Sequence, residues 1–205
     1  MYKKERILCE AYRLMSKIGP QSMTMDMVAH NCGVSKRTLY EQFGGKASLI
    51  KEALIHANTE RMNRAKTLYD GASNSFEALL EIFLEMRELF RDVSDVVLFD
   101  VKRLYPDLLE DFKRIQMEHV GELAEVIDRA KTEGLALEAI DSREASFLLF
   151  VTMSSLRDSV RPGECDFEPR EMFDLAFVNF IRGIATEKGR EFVDNFLVKN
   201  LKRLK

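Results

Sequence analysis

The stretch MTMDMVAHNCGVSKRTLYEQFGGK, Met23 to Lys46, decides how the chain is read. It sets two short apolar patterns on either side of Gly33. Thr24 stands where a helix N-cap belongs, and Met25, Val28, Ala29 and Cys32 recur behind it at helical spacing. Gly33 breaks that helix, because a tight turn needs a residue that tolerates positive φ. Ser35 caps a second helix whose inward residues are Leu39 and Phe43, with Val34 facing the same core. Lys36, Arg37 and Tyr40 fall at i, i+1 and i+4 and share the opposite face. Two short helices joined by a glycine turn predict a helix-turn-helix, whose second helix fits the major groove of DNA. On that reading Lys36 and Arg37 reach phosphates or the acceptor edge of guanine. Tyr40 offers a hydroxyl to phosphate and a ring to a thymine methyl or a sugar. Thr24 and Lys46 open helices whose unpaired N–H groups favour a phosphate. A plainer reading stays open: Arg37 and Glu41, at i and i+4, pair on an ordinary surface helix.

Outward from this stretch the pattern stays helical. Ile7, Leu8, Ala11, Leu14, Met15 and Ile18 make one apolar stripe, and Gly19-Pro20 ends it. Beyond Gly44-Gly45 a fourth helix runs from Lys46 through Leu49, Ile50, Ala53, Leu54 and Ala57, and Asp70–Ser75 reads as the loop between that helix and the next. Phe76, Leu79, Leu80, Phe83, Met86 and Phe90 form the next stripe. Pro106 separates a short helix from a long one that ends near Gly134. Asp141 with Glu144 suggests a capping box, Arg161–Asp166 a loop, and Pro169 the first turn of a further helix. Phe192, Val193, Phe196 and Leu197 mark a last helix. No segment alternates as a strand would, so the fold class is all-α.

Composition bounds the function. The 205 residues carry a formal net charge of −3. Residues 1–50 hold eight basic side chains against four acidic ones, a balance of +4 that leaves −7 for the rest. A basic end on an acidic body turns one part of the molecule toward a polyanion. No apolar run is long enough to span a bilayer, and the N-terminus lacks a signal-peptide core, so a cytoplasmic protein is expected. Cys9, Cys32 and Cys165 lack metal-ligand spacing, and His30, His56 and His119 are isolated. No catalytic set, Gly-rich phosphate loop or metal cluster assembles, so neither enzyme chemistry nor a cofactor is expected.

The segment Thr24–Ile50 resembles the DNA-binding signature of TetR-family transcriptional regulators. The matching residues are Thr24, Val28-Ala29, Cys32-Gly33-Val34-Ser35, Thr38-Leu39-Tyr40, Phe43, Lys46 and Leu49. Cys32 replaces the usual Ala, Arg37 stands where the family often has Gly, and Gly45 sits where a capping Ser, Asn or Asp is usual. The resemblance implies an N-terminal helix-turn-helix DNA-binding domain, residues 1–47, and a larger helical regulatory domain, residues 48–205. It implies a homodimer on a palindromic operator, with Thr24, Ser35, Lys36, Arg37, Thr38, Tyr40 and Lys46 contacting double-stranded DNA, and a repressor released by a small molecule. It further implies that some of Phe83, Met86, Phe90, Phe99, Tyr105, Phe112, Phe147, Phe150, Met153 and Phe177 line a cavity. Such walls suit an apolar or amphipathic effector; packing in a plain core is the competing reading for each. The nearly unbroken apolar runs in Ala145–Leu156 and Met172–Ile184 predict a two-fold dimer contact. Control by a protein partner, or by no ligand, is the alternative, and further off an all-α enzyme or scaffold with a vestigial motif.

Overall fold

The computed structural model describes residues 3–92, 101, 103, 105–159 and 168–200. Among them the helices are α1 Lys3–Ser22, α2 Met25–Cys32, α3 Lys36–Phe43, α4 Lys46–Gly71, α5 Ser75–Asp92, α6 Asp107–Thr132, α7 Ser142–Ser159, α8 Pro169–Ile184 and α9 Glu187–Lys199. The fold is all-α. The expected loop Arg161–Asp166, Cys165 within it, and Phe99 lie outside the described residues.

Local chemistry sets most of the boundaries. Gly19, at φ 81°, bends α1 before Pro20, and one further turn follows to Ser22. The break predicted at Gly19-Pro20 is present: Gly19 is non-helical at φ 81°, ψ 151°, and separates the long first stretch of α1 from the short turn that ends at Ser22. The capping oxygen of Asp141 accepts from the Glu144 N–H at 2.9 Å at the head of α7, and Pro169 occupies the first turn of α8. Gly134 takes φ 70° just past α6. The fourth helix runs to Gly71, where the loop expected at Asp70–Ser75 begins.

The chain divides into two compact units. One holds residues 1–64 with 92–112, and the other 65–91 with 113–205. The first has a core of Ile7, Leu8, Ala11, Leu14 and Met15 of α1 against Val28, Leu39, Phe43, Leu49 and Ile50. The core of the second joins Phe76, Leu80 and Phe83 of α5 to Ile127, Phe173, Phe177, Ile181 and Val193. The Phe83 ring stacks on Phe177 with centroids 4.2 Å apart and on Phe173 at 5.5 Å. Beside this stack the buried Arg87 guanidinium donates through Nε to both oxygens of Asp174, at 2.6 and 2.8 Å, tying α5 to α8.

The head of α9 docks by its backbone. Thr186 donates its N–H to the Leu135 carbonyl at 2.9 Å, and its side chain accepts from Gly189 N–H at 3.1 Å. Gly189 lies so close to that loop that a Cβ there would stand 2.1 Å from the Leu135 oxygen. Backbone cannot step aside as a flexible side chain would. Gly189→Ala should destabilise the chain by about 3 kcal/mol, the upper part of the usual overpacking range. A denaturant midpoint indistinguishable from wild type would show that the loop yields freely.

Candidate nucleic-acid interface

The helix-turn-helix is built from short-range contacts. Thr24 Oγ1 accepts from Met27 N–H at 3.2 Å, and Ser35 Oγ from Thr38 N–H at 3.0 Å, so both helices begin on a side-chain cap. Ser35 and Thr38 hydroxyls also share a hydrogen bond at 2.8 Å. Between the helices Gly33 adopts φ 60°, ψ 38°, with its N–H directed to the Ala29 and His30 carbonyls. A left-handed residue here turns the chain sharply enough to cross α3 over α2. Leu39 and Phe43 are buried, which fixes which face of α3 looks outward. That face carries Lys36, Arg37, Tyr40 and Glu41, all exposed, with Thr38 half-buried at its side.

Helix α1 braces the turn. Arg6 donates to the carbonyl of Cys32, the last residue of α2. Glu10 accepts from Asn31 Nδ2 at 2.7 Å and from both Nε and Nη2 of Arg13. The Arg13 hydrogen bonds hold the Glu10 carboxyl below its ordinary range. Burial pushes the Cys32 thiol up, so it stays protonated and packs as a small apolar group. Nothing in the periodicity marks Arg6 and Glu10 as supports, although their i, i+4 spacing on α1 is the available signal.

The cations of the interface are held by neighbours. Lys36 Nζ lies 2.8 Å from Asp26 of α2, and that hydrogen bond raises the Lys36 pKa. Arg37 Nε lies 2.7 Å from Glu41, the pairing that its spacing allowed. Lys46, at the start of α4, donates to the Gln21 carbonyl at 2.8 Å. Lys4 pairs with Glu52 and lies over the Phe43 ring, so it belongs to the packing of α1 on α4. Thr24, Ser35, Lys36, Arg37, Thr38, Tyr40 and Lys46 all lie within the first compact unit, with Glu41, expected as the partner of Arg37, and Asp26, not expected from the sequence, as acidic neighbours.

The aromatic set is dispersed. Phe83 and Phe177 belong to the core of the second unit and half-buried Met153 packs against it, whereas Tyr105 packs against that of the first. Met86 and Phe147 are exposed and Phe150 is half-buried. The side chains of Phe90 and Phe112 lie outside the described residues. Among the described residues no group of three His, Cys, Asp or Glu could hold a metal, and no helix is long and apolar enough to cross a membrane.

Comparison with known proteins agrees with this geometry. Residues 7–53 match the family model of the bacterial regulatory proteins of the tetR family. An uncharacterized HTH-type transcriptional regulator of Bacillus subtilis, YerO, is 30% identical over 122 residues, 57% of this chain and 42% of that relative. The match thus spans less than half of the relative's length. Among solved structures, reduced NemR of E. coli is similar with a TM-score of 0.74 and 14% identity, over 90% of this chain and 97% of that one. A putative transcriptional regulator from Saccharomonospora viridis in complex with choline gives 0.71 and 19%, over 90% and 98%. A TetR-family regulator of Agrobacterium tumefaciens gives 0.71 and 15%, with the same coverage. At such identities these structures speak for the fold. The fold they share with this chain is all-helical, with a helix-turn-helix near the N-terminus. Residues 7–53 thus form a domain similar to the N-terminal domain of the tetR family of bacterial regulatory proteins.

Proposed function

We propose that the chain is a DNA-binding transcriptional regulator, a repressor that grips a palindromic operator as a homodimer and responds to a small molecule. The observation that carries this reading is the outward face of α3, where Lys36, Arg37 and Tyr40 stand exposed on a helix fixed by buried Leu39 and Phe43. Residues 1–47 form the DNA-binding domain and residues 48–205 the regulatory domain. Arg37 and Tyr40 read base edges, Lys36 and Lys46 meet phosphates, and Thr24, Ser35 and Thr38 hold the helix starts against the backbone. The homodimer is supported by α7 and α8, where Phe147, Leu148, Val151 and Leu175 are exposed. The effector is apolar or amphipathic, and it shifts the population between DNA-competent and incompetent spacings of the two recognition helices.

A gel shift with the DNA upstream of its own gene tests the reading. In the same assay Lys46→Ala should weaken binding to every sequence alike and lower the salt slope by about one unit. A change confined to one operator position would instead make Lys46 a base reader. A chain that shifts no DNA at low salt would overturn the proposal.

A further inference from the structure

We infer that Glu41 sets the aim of Arg37, holding the guanidinium so that its terminal Nη pair, not its Nε edge, meets a guanine. The inference rests on the DNA-binding reading above. Arg37 Nε donates to Glu41 Oε1 at 2.7 Å, one helical turn along α3. Both side chains stand in solvent, 87% and 61% exposed, on the face proposed to meet DNA. Among the described residues, the hydrogen bond and the ion pair of Arg37 both go to Glu41.

A guanidinium carries five N–H donors in a rigid planar fork. With the Nε–H engaged by a carboxylate, the plane of the fork is set, and its end-on edge, one N–H from each Nη, faces away from that carboxylate. Those two groups match the O6 and N7 acceptors of guanine. Lys36 offers no such division of labour. Its charge resides in one ammonium, already 2.8 Å from Asp26, and an ammonium acts as a point charge without a fork. Arg37 is therefore the side chain of this face whose neighbour leaves its recognition edge open.

The placement of Glu41 has a second consequence. A carboxylate on this face repels phosphates and lowers affinity for any duplex. A side chain that only countered charge would do that and nothing more. A positioning carboxylate also widens the gap between the right base and the wrong one, because an arginine aimed in advance loses less freedom on contact.

The full chain, its operator duplex, single-base variants of that duplex and a random duplex, compared by fluorescence anisotropy at two salt concentrations, separate these roles. Glu41→Ala should bind the random duplex as tightly as wild type or tighter, yet lose about tenfold of the guanine preference at one operator position. Glu41→Gln, whose amide oxygen still accepts from Nε, should keep most of that preference. In an Arg37→Ala background, Glu41→Ala should change no base preference. The inference is overturned if Glu41→Ala keeps the wild-type preference, raises affinity evenly across the panel, or alters preference equally without Arg37. Wild type lacking any operator preference would overturn the DNA-binding reading itself. That result is distinct from a wild type that discriminates while Glu41→Ala discriminates equally well.

Discussion

A chain carrying Leu148→Glu together with Leu175→Glu is expected to sediment as a monomer and to bind a two-fold operator about 10²–10⁴-fold more weakly than wild type. Leu148 is 61% exposed and Leu175 is 56% exposed, on helices α7 and α8, which pack against each other. Phe147 and Val151 extend the apolar surface along α7. Such a patch is unusual on a monomer and suits an isologous contact of four helices, two from each chain. Placing a carboxylate at its centre removes apolar burial and sets like charges across the two-fold axis. Each chain still folds, since both leucines already meet solvent and surface changes rarely exceed about 0.5 kcal/mol. The loss in operator affinity then comes from severing two half-site contacts that had been linked. Sedimentation equilibrium at micromolar concentration reads the first effect and operator titration the second. A wild-type chain that is monomeric under these conditions, or a doubly substituted chain that still dimerises, refutes this contact.

The second large effect lies inside the core of the second compact unit. Phe83→Ala is expected to cost about 3–5 kcal/mol and to lower the melting temperature by about 6–20 °C. Phe83 is 1% exposed and its ring is stacked with those of Phe177 and Phe173. Truncation removes both stacking partners' contacts and leaves a cavity that three packed helices close only in part. Phe83→Leu, which refills most of that space, should recover the greater share. The comparison also decides between two uses of the residue. An aromatic wall of an already open cavity would be truncated at smaller cost, because few atoms contact its free side. A loss under about 2 kcal/mol would therefore move Phe83 from the core to a cavity wall.

The helix-turn-helix was legible in the sequence because each of its decisions is local. Thr24 and Ser35 cap within three residues, Gly33 makes its turn alone, and Leu39 and Phe43 choose the buried face at a spacing of four. The Arg37–Glu41 pair was foreseeable for the same reason. Contacts made across the chain were not. Glu133 accepts from both the N–H and the hydroxyl of Ser75, 58 residues away, and Asp174 meets Arg87 across 87 residues. Neither pair leaves a trace in periodicity. The scatter of the aromatic set has a related cause. Helical spacing reports that a residue lies on an apolar stripe, but not whether core or solvent faces it, and Phe147 at 48% exposed shows the difference from Phe83.

The central claim, that α3 reads a specific DNA sequence in a two-fold assembly, is tested most directly by selecting duplexes from a random pool with the full chain and sequencing what is retained. The account predicts enrichment of one two-fold symmetric sequence, its half-sites one helical turn or a multiple of it apart, as two copies of α3 in successive major grooves require. A retained pool no richer in any sequence than the input, at a salt concentration where the chain still binds DNA, would contradict it.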